Sequence, residues 1–204
     1  MSDLHTLRVV TPPLVEAVSL PELRKQLEID QAETYHDAQL ALVGRAARQY
    51  YERRTGRTIH ETEYDLILNR WPAGRRIVLP RATPLLSVDP VQMVDDQQVT
   101  TLWSDFLLDT YSEVGAIVLK PHERWPDFTP SPVAPITIRY RAGIPASPAV
   151  EAEPEDKVPI LMLAGALFEN RETEIVKTNT GLESIVLRYG IEPFIGARQV
   201  HHVY

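Results

Sequence analysis

The spacing of apolar residues changes twice along this chain of 204 residues. Between residues 19 and 56, and again between residues 156 and 170, apolar positions recur every three or four residues, which predicts amphipathic helices. Between residues 58 and 143, apolar and polar positions alternate in short runs, which predicts half-buried strands. The pattern therefore predicts an α+β fold with helices before and after a β-rich segment.

The two helices predicted near the N-terminus have recognisable ends. Ser19 can cap the first helix, and Glu22 stands three residues later, where it completes a capping box. The second helix is predicted from about Asp37 to Thr55. Gly56 follows it and is well placed as a C-terminal cap, because glycine adopts the left-handed conformation at low cost.

The C-terminal part of the chain predicts two further helices. Asp156 can cap a third helix that runs to about Asn170, and Pro159 in its first turn is tolerated. A short fourth helix is predicted over residues 182–189. The buried faces of the second and third helices are predicted from the three-to-four spacing, and they comprise Leu42, Val43, Ala46, Ala47, Tyr50, Tyr51, Ile160, Leu163, Ala164, Leu167 and Phe168.

The β-rich segment contains several short strands separated by prolines and polar turns. Residues 85–94 are predicted as one strand, residues 95–98 as a hairpin turn and residues 136–140 as the last strand. The two carboxylates in the hairpin turn are interpreted as solvated turn residues rather than as an acid–base pair. The three tryptophans are expected to anchor the core or an interface rather than to cage a ligand, and they are Trp71, Trp103 and Trp125.

Three further segments flank or join these elements. Residues 1–18 are predicted as an extended arm, and the proline-rich residues 144–155 as a linker. Residues 191–204 form an apolar and basic tail for which the pattern offers no partner element in the same chain. This tail could pack back on its own domain, or it could dock on a partner as an added strand or in a groove.

Arginines are concentrated along the second helix, and another follows the third helix. A basic helix face is usually solvated, but it could also form a subunit interface or contact DNA. The residues concerned are Arg45, Arg48, Arg53, Arg54 and Arg171.

Composition narrows the chemistry that the chain can perform. The formal net charge is −7, which argues against generic binding to nucleic acid phosphates. Cysteine is absent, so disulfides and thiolate metal sites are excluded. The histidines lack the spacing of a helical metal site, and nucleotide-binding and hydrolase motifs are absent. We therefore predict no catalytic residue, metal or cofactor, and no segment that spans a membrane.

Several weak sequence motifs occur in a fixed order over most of the chain. They are the helix that starts at Ser19, the helix end at residues 46–57, Ile77-Val78-Leu79-Pro80-Arg81 with Pro84 and Ser87-Val88, Trp125-Pro126, residues 136–143, and the helix end Ala166-Leu167-Phe168-Glu169-Asn170-Arg171-Glu172. In this order and spacing, the chain resembles the head–tail connector, or adaptor, family of long-tailed phages and gene-transfer agents.

The resemblance implies a small helical bundle, formed here by residues 19–57 and 156–190, that carries the β-rich insertion at residues 58–143. It also implies a ring, typically of twelve copies, seated under the portal protein. Such a ring receives the stopper or tail-completion proteins, while DNA passes through its lumen without specific binding. The protein is then expected in the host cytoplasm before assembly and in the virion neck afterwards, with no catalytic residues.

In this family the C-terminal segment commonly reaches the portal. The resemblance therefore implies a portal-docking role for residues 191–204. The tail residues expected to take part are Phe194, Ile195, Arg198, Val200, His201, Val203 and Tyr204.

Three alternatives stay open at the level of sequence. A different neck protein, such as a stopper or tail-completion protein, is expected to be mainly β, and the predicted helices count against it. A DNA-packaging subunit would need a concentrated basic face, and the net acidity weakens that interpretation. A small enzyme would need a motif that the sequence lacks.

Overall fold

The computed structural model describes residues 5–145, 152–169 and 192–200. These residues form four helices and nine strands, and all strand pairs are antiparallel. The elements are, in chain order, β1 His5–Thr11, α1 Leu20–Gln26, α2 Asp37–Thr55, β2 Thr62–Leu68, β3 Arg76–Val78, β4 Leu85–Val88, β5 Val91–Val94, β6 Thr100–Trp103, β7 Phe106–Asp109, β8 Ala116–Leu119, β9 Ile136–Ala142, α3 Pro154–Glu169 and α4 Glu192–Arg198. The α+β fold class predicted from the sequence is confirmed. None of the described helices is long and apolar enough to cross a membrane.

The described residues divide into two compact units. The helical unit contains residues 15–59, 152–169 and 192–200, and the β unit contains residues 5–14 and 60–145. The helical unit is therefore discontinuous in sequence, because residues 60–145 of the β unit lie between α2 and α3, and residues 5–14 of the β unit precede α1.

Local signals in the sequence account for the ends of the first two helices. Ser19 caps α1, and its backbone N–H donates to the Glu22 carboxylate at 2.8 Å, which completes the predicted capping box. The predicted bounds of α2 are confirmed. Gly56 follows it with φ of 73°, and its N–H donates to the carbonyl of Glu52 at 3.0 Å.

Asp156 does not cap α3 as predicted. The helix begins two residues earlier, at Pro154, so Asp156 lies within its first turn and is buried. The reason is tertiary, because its carboxylate binds side chains from other helices instead of its own backbone. The predicted helix at residues 182–189 lies outside the described residues.

The buried face of α2 is rotated by about one residue from the prediction. Leu42 is 60% exposed and Ala46 is also exposed, whereas Leu40, which the predicted face leaves out, is fully buried. Ala47 and Tyr51 are buried as predicted. Apolar spacing alone did not distinguish the two registers, because the true face also includes polar residues that sequence reasoning placed outside it.

The remaining predictions for the helical core have mixed outcomes. Val43, Tyr50 and Phe168 are partly buried and pack against the core, and Leu163 is buried. The prediction that Leu167 belongs to the core is wrong, because this residue is 42% exposed. The fully or largely buried apolar residues of this core also include Ala17, Val18, Leu23, Ile59, Ile160 and Ala164.

The β unit contains two antiparallel sheets. The first has six strands in the order β1-β2-β9-β5-β6, with β4 also paired to β9, and the second has the order β3-β8-β7. Strand β1 lies within the predicted N-terminal arm and pairs with β2 from His5 opposite Leu68 onward. Tyr64, Ile138 and Ile117 are among the fully buried side chains at the centre of this unit.

The single strand predicted over residues 85–94 is wrong. The segment forms β4 and β5, with Asp89 and Pro90 between them. Proline has no N–H to donate to a ladder, so a strand that is paired on that side ends before it. The hairpin turn after β5 is confirmed, and Asp95 organises it by accepting hydrogen bonds from the N–H groups of Gln97 at 3.0 Å and Val99 at 2.8 Å.

Candidate functional site

A buried polar network joins three helices of the helical unit. The Tyr51 hydroxyl of α2 donates to Asp156 of α3 at 2.7 Å. Arg198 of α4 donates to the same carboxylate at 3.0 and 3.2 Å. Burial and the hydrogen bond to Asp156 raise the pKa of Tyr51 well above its usual value. The network therefore places the Asp156 carboxylate between a neutral phenol and a guanidinium.

Additional carboxylates surround the Arg198 side chain. Glu153 accepts a short hydrogen bond from it, and Glu155 lies 3.1 Å away. The hydrogen bond to Asp156 is the main reason that the pKa of Arg198 is raised. Arg198 is thus charged at any pH at which the protein is folded.

The tail predicted to lack a partner element packs on its own helical unit over residues 192–200. Ile195 and Val200 are buried, and the Val200 N–H donates to the carbonyl of Thr55 at 2.8 Å. Arg198 is held by the network described above. These three residues were expected to dock on another protein, and the structure instead uses them to attach α4 to α2 and α3. Of the described tail side chains, Phe194 is 38% exposed. His201, Val203 and Tyr204 lie outside the described residues.

Arg48 was predicted to lie on a basic surface, and this is wrong. Its side chain is buried and donates to Glu52 at 2.7 Å and to Glu16 at 2.8 Å. Burial alone would lower the pKa of Arg48, but the charges of Glu52 and Glu16 outweigh burial and raise it. Glu52 also accepts from the backbone N–H of Ile59 at 3.1 Å. Arg48 is therefore part of the core that fixes the segment after α2.

The other predicted arginines differ from one another. Arg45 and Arg53 are exposed and have no ion-pair partner among the described residues. Arg54 is also exposed, but it pairs with Glu192 of α4 at 2.9 Å. Arg171 lies outside the described residues. The predicted arginines that lie on the surface of α2 are thus Arg45, Arg53 and Arg54, and Arg54 is paired with Glu192.

On the exposed side of α2, the apolar residue Ala46 lies between Arg45 and Arg53. Leu42, Arg45, Ala46, Gln49 and Arg53 have the three-to-four spacing of one helical face, and all five are exposed. We call this set the α2 outer face.

A shallow apolar pocket of about 230 Å³ adjoins the α2 outer face. The residues that line it are Glu16, Val18, Ser19, Leu20, Ala41, Gly44 and Arg45. Gly44 allows the close approach of α1, because a Cβ there would lie 3.1 Å from the Cδ1 atom of Leu23.

The β unit also contains a buried carboxylate that the sequence pattern did not reveal. Asp65 lies on β2, and it accepts hydrogen bonds from Arg139 of β9 at 2.8 Å and from Arg8 of β1 at 2.7 Å. The hydrogen bond from Arg139 is the main reason that the pKa of Asp65 is lowered. Strict alternation had placed Asp65 on the solvated face, but the two arginines cover it. Its role is to join three neighbouring strands.

The three tryptophans lie together in the β unit. Trp71 stacks on Trp125 with ring centroids 5.0 Å apart, and Trp103 packs edge-on against both. The Trp125 indole N–H donates to the carbonyl of Gly74 at 2.7 Å. All three pack against the β core, which confirms the expectation of core anchors. Such a cluster stiffens the end of β6, the strand that contains Trp103.

Strands β6 and β7 each end a sheet and expose large apolar side chains. Strand β6 is the last strand of the six-stranded sheet, and β7 is the last strand of the three-stranded sheet. Leu102 is 63% exposed on β6, and the neighbouring residues Leu107 and Leu108 are both exposed on β7. Val99, just before β6, is exposed as well. We call these four residues, on or next to the two end strands, the leucine edge; Leu107 and Leu108 are consecutive on β7, so their side chains point to opposite faces of that strand. Sequence reasoning missed it, since the same residue types also fill buried strands.

The described residues contain no group of three or more His, Asp or Glu side chains placed to hold a metal ion. The arrangements described above are three ion-pair networks, each with a buried member, an apolar pocket and exposed apolar side chains on two end strands. These features can hold elements together and contact other proteins.

The fold is shared with chains of gene transfer agent (GTA) particles. A chain from the neck of an empty GTA particle, computed with C6 symmetry, superposes with a TM-score of 0.78 at 22% sequence identity, over 98% of this chain and 97% of that chain. A chain from the virion of a native GTA particle gives 0.74 at 23% identity, over 97% of each chain. A chain from the neck of a native GTA particle, computed with C12 symmetry, gives 0.73 at 23% identity, over 98% of this chain and 97% of that chain.

No protein-family model and no curated protein sequence matches this chain. At the identities above, the structural likeness concerns the fold. It extends over nearly the whole of both chains and includes both the helical unit and the β unit. The chain therefore has the fold of a protein found in the neck of a gene transfer agent particle.

Proposed function

We propose that this protein is a structural subunit of the neck of a phage or gene-transfer-agent particle, without enzymatic activity. The observation that carries the proposal is the superposition on a GTA neck chain with a TM-score of 0.78 over 98% of this chain and 97% of that one. Agreement over the full length supports a shared role more strongly than a shared single motif would, although fold alone does not fix function.

Within the neck, we assign the protein to the adaptor ring. The ring joins the portal to the stopper or tail-completion protein, and DNA passes through its lumen. Two of the similar neck chains come from particles computed with C6 and C12 symmetry, which supports a ring with twelve copies. The net charge of −7 supports a lumen that does not retain DNA, because like charges repel the phosphates.

We assign the portal contact to the end of the chain, but to fewer residues than the sequence suggested. Ile195, Arg198 and Val200 hold α4 on the helical unit, so they are excluded as direct portal ligands. Phe194 and residues 201–204 remain as candidates. A weak contact by each copy is sufficient in a ring, because the contacts act together and their avidity multiplies.

The test is to mix the purified full-length chain with its portal protein and to image the product by electron microscopy, with each protein alone as a control. A ring that caps the portal is the expected result. Absence of any association with the portal or with the other neck proteins would overturn the proposal.

Two variants test the portal contact separately from the ring. A chain that ends at Val200 keeps α4 and the buried network but lacks residues 201–204. The Phe194→Ala variant removes one exposed ring and leaves Ile195 in place. If both variants, singly and combined, cap the portal as well as the parent chain does, the assignment of the tail is wrong and the adaptor ring stands.

A DNA-packaging subunit is the principal competing function. It predicts that the purified protein retards double-stranded DNA in a gel at low salt, where phosphate contacts are strongest. We expect no retardation, since the net charge is negative and Arg48 and Arg54 are engaged in ion pairs.

A further inference from the structure

The α2 outer face and its pocket have the shape and charge of a receptor for an apolar strand edge. The face presents Leu42 one turn before the exposed Arg45, and Ala46 between Arg45 and the exposed Arg53. Val18, Leu20 and Ala41 line the adjoining pocket of about 230 Å³, which can accept an aliphatic side chain. Within the described residues, neither arginine is neutralised by an ion pair. A partner should therefore bring apolar side chains flanked by carboxylates.

The leucine edge of the β unit has the complementary character. Leu102, Leu107 and Leu108 are exposed on two strands that are joined only by Ser104 and Asp105. An exposed apolar strand at the end of a sheet is a site at which other chains tend to pair or pack. A protein that stays soluble must cover such an edge or use it.

In the chain, carboxylates precede and follow the leucine edge. Asp96 lies in the turn before β6, and Glu113 lies in the turn after β7, and both are exposed without an ion-pair partner among the described residues. Asp105 between the strands is paired with Lys120, and Asp109 with Arg76. The surplus charge of the edge is thus negative, opposite to that of the α2 outer face.

We propose that the leucine edge of one copy docks on the α2 outer face and pocket of the neighbouring copy, and that this contact closes the ring. The inference rests on the proposed adaptor function and identifies the surfaces that build it. Two different patches are required, because a head-to-tail contact generates a ring when its rotation closes, whereas a contact between identical patches stops at a dimer. Charge also disfavours contact between two identical patches, since two acidic edges or two arginine faces repel each other.

The absence of cysteine from the chain allows a direct test by cross-linking. Ala46→Cys places a thiol on the α2 outer face, and Thr100→Cys places one on β6 beside Leu102. Both positions are exposed, so the variants are expected to fold. Portal-bound rings of the double variant are treated with a short bismaleimide and separated on a denaturing gel. The matched control combines Ala46→Cys with Ala73→Cys, which is exposed in the turn before β3.

The expected result is a ladder of covalent oligomers beyond the dimer for the Ala46 and Thr100 pair, and none for the control pair. Each single-cysteine variant should stay monomeric on the gel. Rings without a ladder, or dimers from Thr100→Cys alone, would overturn the inference and leave the adaptor ring intact. If electron microscopy of the same samples finds no rings, both the inference and the proposed function fail.

A charge-reversal series gives a second readout. Arg45→Glu with Arg53→Glu reverses the α2 outer face, and Asp96→Lys with Glu113→Lys reverses the flanks of the leucine edge. We expect each pair to reduce ring formation on the portal by more than about tenfold, because like charges then face each other. The chain that carries all four changes should recover most of the ring formation on the portal. Equal loss in the fourfold variant would contradict the proposed pairing of surfaces.

Discussion

Replacing Arg198 by Met tests whether the buried network attaches α4 to the helical unit. The substitution removes the guanidinium and keeps a long apolar side chain. Asp156 then retains the Tyr51 hydroxyl, at 2.7 Å, as its side-chain partner in the network. The matched control is Arg53→Met on α2, because Arg53 is exposed and has no ion-pair partner among the described residues.

The expected loss of stability in Arg198→Met follows from the burial of Asp156 and Arg198. The Asp156 side chain is 5% exposed, and removal of one partner from a buried ion pair costs about 3–5 kcal/mol. Two features reduce this value: the Arg198 side chain is 20% exposed, and the Tyr51 hydroxyl still stabilises the carboxylate. We therefore expect Arg198→Met to lower the free energy of unfolding of the helical unit by about 2–3 kcal/mol. The control should change it by less than about 0.5 kcal/mol.

Native-state hydrogen exchange at the Val200 amide is the assay that reports on this attachment. That N–H donates to the carbonyl of Thr55 at 2.8 Å, so it exchanges when the end of α4 leaves α2. The expected loss of protection in Arg198→Met is roughly 30- to 150-fold. Chemical denaturation followed by circular dichroism supplies the unfolding free energy. If Val200 keeps the protection that it has in Arg53→Met, the network does not hold α4 and the reasoning is refuted.

Three further predictions concern the helix register, one glycine and the buried carboxylate of the sheet. Leu40→Ala should lower the unfolding free energy by about 3 kcal/mol and Leu42→Ala by less than about 0.5 kcal/mol, because Leu40 is buried and Leu42 is not. Gly143→Ala should destabilise the β unit by at least about 1–3 kcal/mol, since φ is +104° and a Cβ would lie 2.6 Å from backbone atoms, whereas Gly74→Ala meets no neighbouring atom and should be nearly neutral. Asp65→Asn should cost about 1–2 kcal/mol at neutral pH, discounted because both partner guanidiniums are partly exposed.

The measurements for these predictions are denaturant titrations, with pH as an added variable for the carboxylate. The pKa of Asp65 is lower in the folded protein, so its stabilisation is present above about pH 4 and is lost as the pH falls through the folded pKa. The Asp65→Asn variant should lose less stability over that acidic range than the parent. Equal acid sensitivity would contradict this assignment. Equal effects of Leu40→Ala and Leu42→Ala would contradict the register, and a neutral Gly143→Ala would contradict the backbone argument.

Local chemistry explains why some elements were predictable. The capping box of Ser19 with Glu22, the glycine after α2 and the hairpin turn at Asp95 each depend on interactions within a few residues. Such interactions leave a signature in the sequence at the position where they act. The alternating pattern of β2 and β9 was equally visible, although the split between β4 and β5 required attention to Pro90.

The surface properties of α2 were not predictable in the same way. Arg48 and Arg53 have the same chemistry and lie on the same helix, yet one is buried and the other exposed. The difference arises because Glu16, 32 residues earlier in the chain, supplies a partner for Arg48. The prediction placed Leu42 in the core instead of Leu40 for a related reason. The elements that pack on α2 decide which of its residues are buried.

The sequence by itself determined the α+β composition, the ends of α1 and α2, the turn at residues 95–98 and the absence of thiol chemistry, because each follows from local spacing or from residue content. Only the tertiary structure decided that Asp156 and Arg198 form a buried pair, that Asp65 joins three strands and that Leu102 is exposed at a sheet edge. The physical reason is that burial and charge pairing depend on residues far apart in sequence. The helix α4 illustrates this most clearly, since its attachment to α2 and α3 depends on partners that lie 42 or more residues earlier in the chain.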